Sequence, residues 1–97
     1  MTTIYWTERA QADLAAVRAF VEIGSPHYAD VIVRRLLHSA DRLQDFPQSG
    51  RAVPEYSDPM IREVILRPYR IVYRIVAVQE IHVLTVHHGA RGELHSL

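Results

Sequence analysis

P-Y-R-I-V-Y-R-I-V-A-V-Q-E-I-H-V-L-T-V-H-H-G-A-R, running from Pro68 to Arg91, is the stretch whose reading decides the fold. Val, Ile, Tyr and Thr fill most of its places, and these side chains suit a pleated, half-buried surface. The spacing predicts two strands joined around Val78, Gln79 and Glu80. In an antiparallel hairpin the start of one strand lies beside the end of the next. Tyr69 and Arg70 should therefore approach His87, His88 and Arg91, and function is expected at that end of the sheet.

Upstream, Ile61 to Leu66 has the same strand composition, and Arg67-Pro68 separates it from the hairpin. The segment from Pro47 to Pro59 holds prolines, a glycine and little periodicity, so it reads as a surface loop. Before it, Ala29, Ile32, Val33, Leu36, Leu37, Ala40, Leu43 and Phe46 recur at helical spacing, with Arg34, Arg35, Asp41, Arg42 and Asp45 turned outward. Ser25-Pro26 begins that helix as cap and first helical residue, and Pro47 is expected to end it. An earlier helix carries Ala10, Leu14, Val17 and Val21 on one face, with Thr7 as its cap, Glu8 in its first turn and Gly24 as its stop. Thr3 to Trp6 reads as a short opening strand.

The order is strand, helix, helix, strand, strand, strand. It predicts an α+β domain whose helix hairpin packs on one face of a mainly antiparallel sheet. The place of the first strand in that sheet is left open. Ninety-seven residues, 48% of them hydrophobic, suit a single domain over 1–97 with a modest core. There is no cysteine, so disulfides and thiolate metal sites are excluded. No apolar run reaches the roughly 18 residues that suggest a membrane span, and the first residues lack a signal-peptide pattern, so a cytoplasmic protein is expected.

Formal net charge is zero, which argues against a broad phosphate-tracking surface. All eleven basic residues other than histidine are arginines. Their planar forks suit bidentate pairing with carboxylates, although a GC-rich genome also favours arginine over lysine. Arg51, Glu55, Arg62 and Glu63 read as a structural ion-pair network between loop and sheet. The six histidines do not suggest a metal site, because His87 and His88 point to opposite strand faces and no His-x-x-x-His pair sits on a helix. No cofactor is implied.

Pro47-x-x-Gly50-Arg51-x-Val53-Pro54-Glu55, then Arg62-Glu63, then Tyr69 to Arg74, then Val86-x-His88-Gly89-Ala90-Arg91, resembles the RelE/ParE superfamily of toxins from type II toxin–antitoxin modules. The closest likeness is to its ParE-like, plasmid-stabilisation branch, and it covers almost the whole chain. The resemblance implies a toxin neutralised by a cognate antitoxin, with operator DNA reached only through that antitoxin and no membrane partner. For a RelE-like member it implies ribosome-dependent mRNA cleavage, with Arg70 and Arg91 at the two arginine positions. Ile61 and Glu63 stand where that branch carries lysines, and Gly92 to Leu97 holds no tyrosine.

Cleavage of RNA by its 2′-hydroxyl needs a base, an acid and cations for the developing phosphate charge. Arginine cannot be the base, so a nuclease here would rest on His88 with Arg70 and Arg91. The reading favoured by the missing lysines and neutral charge is a protein inhibitor without bond-breaking chemistry. The resemblance to ParE implies DNA gyrase as its target, with growth arrest as the outcome. Its target-binding residues would be Arg70, His87, His88, Arg91, Glu93 and Leu94; its antitoxin-binding residues would be Arg34, Arg35 and Arg42. The mRNA endonuclease acting on ribosome-bound messages stays open as the alternative, so enzyme status is undecided. A third possibility is an inactive toxin fold kept for antitoxin binding or co-repression.

Overall fold

The computed structural model describes all residues, 1–97. Strands β1 (Thr3–Trp6), β2 (Arg51–Ala52), β3 (Ile61–Leu66), β4 (Tyr69–Ala77) and β5 (Glu80–His88) accompany helices α1 (Glu8–Gly24) and α2 (Pro26–Asp41). Short 3-10 turns cover Arg42–Gln44 and Gly89–Arg91. The sheet order is β1-β5-β4-β3-β2. β3, β4 and β5 form the expected antiparallel meander. β1 lies parallel to β5, with Thr3 opposite Glu80 and Trp6 opposite Val83. The chain leaves β1, crosses one sheet face as the helix hairpin and re-enters at the far edge, so β1 closes the near edge.

Caps fix the helix hairpin. Thr7 Oγ1 accepts the Ala10 N–H at 3.1 Å and donates to the Val83 carbonyl at 2.9 Å, tying the start of α1 to β5. Ser25 Oγ accepts the Tyr28 N–H at 3.1 Å, and Pro26 follows as the first residue of α2. Gly24 is the last helical residue and has no positive φ, so the reversal is made by extended Ser25, not by a glycine stop. Regular α2 ends at Asp41, earlier than Pro47 suggests. The following 3-10 turn carries Leu43 into the core, and Phe46, assigned to the apolar face by spacing, is 61% exposed.

Two separate faces of the sheet are covered. On one, Ala10, Ile32 and Leu36 from the helices meet Tyr69, Ile71, Val83 and Val86, and Leu43 meets Tyr73 and Ile81. On the other, Val72 packs with Ile61, Val53 from the loop and Leu94 from the C-terminal segment. Full burial of each large apolar side chain contributes about 1.5–3 kcal/mol before the ordering cost. A register shift in β5 near Leu84 disturbs the ladder opposite Val72 and Tyr73. Asp13 of α1 compensates, accepting from the Thr85 hydroxyl and, at 3.1 Å, from the Val86 N–H.

The Pro47–Pro59 segment is not all loop, because its residues Arg51 and Ala52 form β2 and pair with Glu63 and Arg62. Tyr73 anchors its entry. The phenol accepts the Gly50 N–H at 3.0 Å and donates to the Pro47 carbonyl at 2.8 Å. Gly50 has no room for a side chain, since a Cβ there would lie 2.5 Å from the Tyr73 oxygen and 2.8 Å from the Glu63 carbonyl. Tyr73→Phe strands the buried Gly50 N–H and should lower stability by about 1–1.5 kcal/mol. A shifted urea midpoint at unchanged slope would register that loss.

Candidate functional site

The end of the hairpin gathers the residues singled out by sequence, but on two faces. Tyr69 stands opposite His88 and Arg70 opposite His87, and residues directly opposite share a face. Tyr69 is buried against the helices. His88 meets its ring edge-on, with centroids 5.2 Å apart, and burial pushes the Tyr69 phenol up from its ordinary pKa. His88 and Arg91 line a groove of about 260 Å³ with Asp13, Val17 and Phe20 of α1. Arg70 and His87 belong to the opposite face, where Arg70 lines a second depression with Arg51, Glu55, Glu93, Leu94 and His95. The set Arg70, His88 and Arg91 is therefore split by the thickness of the sheet.

Arg70 is held by two carboxylates. Its Nη2 and Nη1 donate to the two oxygens of Glu55 at 2.7 and 2.8 Å, a side-by-side fork, while its Nε donates to Glu63 Oε1 at 2.6 Å. The Arg70 side chain is 14% exposed and that of Glu63 is fully buried. Arg51 Nε donates to the other Glu63 oxygen at 2.6 Å. The Arg70 hydrogen bond holds the Glu55 carboxyl down at about 2, and the two acids push the Arg70 pKa above its ordinary value, Glu55 foremost. Expected as a target contact, Arg70 is instead the hub of internal pairs. Arg62, expected in an ion pair, donates to the carbonyls of Gly50 at 3.0 Å and Gln48 at 3.4 Å, because the paired β2 places backbone oxygens there.

The remaining candidates divide by exposure. Leu94 is buried in the second core, whereas Arg91 and Glu93 are exposed. His87 Nε2 lies 2.9 Å from the Gly92 carbonyl, so that nitrogen carries the proton of the pair. His88 Nδ1 accepts the Ala90 N–H at 3.0 Å and caps the closing 3-10 turn. Each histidine thus has one ring nitrogen committed to backbone. Arg34, Arg35 and Arg42 are exposed on α2 and the turn after it, and Arg34 and Arg35 line a cleft with His38, Asp41 and Leu66. No group of three or more His, Cys, Asp or Glu is placed to hold a metal. No helix is long and apolar enough to cross a membrane.

Asp13 and Phe20 are not among the residues that sequence reasoning singles out. Asp13 has a readable signal, since it sits three places from Ala10 and four from Val17, on the face that packs. Phe20 lies at the margin of that face, 73% exposed, and only the turn of the chain at Gly89 makes it the wall of a groove.

A model of the ParE toxin of the type II toxin–antitoxin system parDE matches residues 4–92. The chain belongs to the ParE toxin family. It is 33% identical over 91 residues to Toxin RelE2 of Caulobacter vibrioides, spanning 94% of this chain and 99% of that one. It is 37% identical over 88 residues to the putative toxin Y4kP of Sinorhizobium fredii, spanning 89% and 86%. A solved structure of the chromosomal ParDE toxin–antitoxin system from P. aeruginosa superposes with a TM-score of 0.74 at 26% identity, covering 91% of this chain and 96% of that one. The protein is thus a type II toxin of the RelE/ParE superfamily, and membership in such a module implies a cognate antitoxin as its partner.

Proposed function

We propose that this toxin arrests growth as a ParE-like inhibitor that holds DNA gyrase on cleaved DNA, and that it carries out no bond-breaking chemistry itself. The observation that carries the reading is the state of Arg70. A guanidinium already paired with Glu55 and Glu63 has little capacity left to stabilise charge on a scissile phosphate. Ile61 is buried and Glu63 faces Arg70, so the positions of the RelE-type lysines supply no cation. Arg91 and His88 lie across the sheet from Arg70, which leaves no three-residue nuclease arrangement. The surface offered to the target is the hairpin end together with the chain just beyond β5: His87, His88, Arg91 and Glu93.

Inducing the chain in bacteria tests this. A DNA-damage response with gyrase–DNA cleavage complexes and intact transcripts is the expected result. Transcript cleavage at ribosomal A-site codons without gyrase complexes would overturn it.

Antitoxin docking is assigned to Arg34, Arg35 and Arg42, whose guanidinium groups make no ion pair within the chain and would attract an acidic amphipathic segment. Reversing all three to glutamate should weaken antitoxin binding roughly tenfold, mostly through slower association that added salt now speeds, because attraction to the acidic segment has become repulsion. Stopped-flow rates at two ionic strengths measure it, and an unchanged association rate removes these residues from the interface.

A further inference from the structure

The C-terminal segment Gly92–Leu97 is fastened to the body of the toxin from three directions. His87 of β5 bonds the Gly92 carbonyl at 2.9 Å. Arg9 of α1 donates from Nη1 to the Ser96 carbonyl at 2.7 Å. Between them, the Leu94 N–H donates to Glu55 Oε2 at 2.9 Å, while the Leu94 side chain, 4% exposed, enters the cluster of Val53, Ile61 and Val72. Gly92, at φ +76°, makes the turn that brings the segment back over the sheet. With Leu94 inward, its neighbours Glu93 and His95 line the open depression beside Arg51 and Tyr56.

The acceptor of the middle tether is itself fixed. Glu55 is a loop residue, and what holds its carboxylate is the two-pronged grip of Arg70. Arg70 in turn is pinned by the buried carboxylate of Glu63 on β3. The order of support runs from strand to arginine to loop carboxylate to backbone amide. We infer that Arg70 is a positioning residue that, through Glu55, straps the 92–97 segment to the sheet in the posture in which Glu93 and its neighbours meet the target. This rests on the proposed reading of that segment as part of the target surface. A pre-formed posture spares the complex the cost of ordering the segment on binding.

Glu55→Ala is the discriminating variant, because Arg70 keeps Glu63 and the sheet keeps its internal pair while Leu94 loses its acceptor. Leu94→Ala removes the apolar anchor and leaves the Arg70–Glu55 fork intact; Leu94→Met keeps an anchor and serves as the conservative control. Amide hydrogen exchange at position 94, whose N–H Glu55 accepts, should speed up about tenfold or more in both alanine variants. Trapping of gyrase–DNA complexes should fall about tenfold or more with them, and Leu94→Met should recover most of what Leu94→Ala loses. Antitoxin affinity, set on α2, should change by roughly twofold at most.

Unchanged protection in Glu55→Ala would overturn the strap. A loosened segment with full trapping would overturn its role in presenting the target surface, and an equal loss of antitoxin affinity would reduce the effect to general destabilisation and overturn positioning. Failure of the gyrase reading is told apart because it would show as wild-type protein that traps nothing, while the exchange measurement still reports whether Glu55 holds the segment.

Discussion

Arg70→Met should unfold the toxin at a temperature well below the parent. The substitution preserves much of the side-chain volume but leaves Glu63, fully buried, and Glu55, 16% exposed, without their shared cation. Removing one partner from a buried ion pair costs about 3–5 kcal/mol. Glu63 retains Arg51, whose own side chain is 62% exposed, so the lower end, about 3 kcal/mol, is expected. For a domain of this size that is a fall in Tm of roughly 12–24 °C. Arg70→Met combined with Glu63→Leu should recover part of the loss, since an apolar replacement removes the stranded charge. Calorimetry on the two variants separates that cause from lost packing: recovery supports it, and a further fall contradicts it.

Acid should remove the grip of Arg70 on Glu55. The folded carboxyl titrates at about 2 instead of 4.5, chiefly because it accepts the Arg70 hydrogen bonds. A depressed folded value means that the stabilisation is complete above about pH 4.5 and is lost as the pH falls toward 2. Its size is on the order of 2 kcal/mol once screening on the open side is allowed for. Wild type and Glu55→Gln should therefore differ by about that amount at pH 6 and converge near pH 2. Parallel denaturant titrations across that range measure the difference, and a constant gap would place the benefit of Glu55 elsewhere than in its charge.

Helical periodicity carries the reading of both helices and strand composition that of the meander, while the Thr7 and Ser25-Pro26 signals mark the helix starts; together they give the α+β class. The misplaced features share a physical cause. Leu43 keeps the helical rhythm going past Asp41, and a 3-10 turn satisfies that spacing as well as an α-helix does. β2 is two residues long, too short for any alternation to register. The position of β1 depends on where the helix hairpin returns, which no local pattern encodes. At the site, the sequence contains the arginine and both acids, yet whether Arg70 faces a partner or Glu55 depends on how the intervening loop folds back. The split of His88 from Arg70 is readable from strand alternation; the side on which Arg91 emerges is not.

Parallel pairing of β1 with β5 has a consequence for the order of assembly. The earliest strand has no sheet neighbour until the latest one exists, and Thr7 reaches its carbonyl partner Val83 across 76 positions of chain. During synthesis the helix hairpin can form early, but closing so long a separation must wait for β5 to leave the ribosome. A nascent chain accordingly passes through most of its translation without the rim that carries His87, His88 and Arg91. On the proposed reading of that rim as the target surface, the onset of activity waits for β5 to emerge.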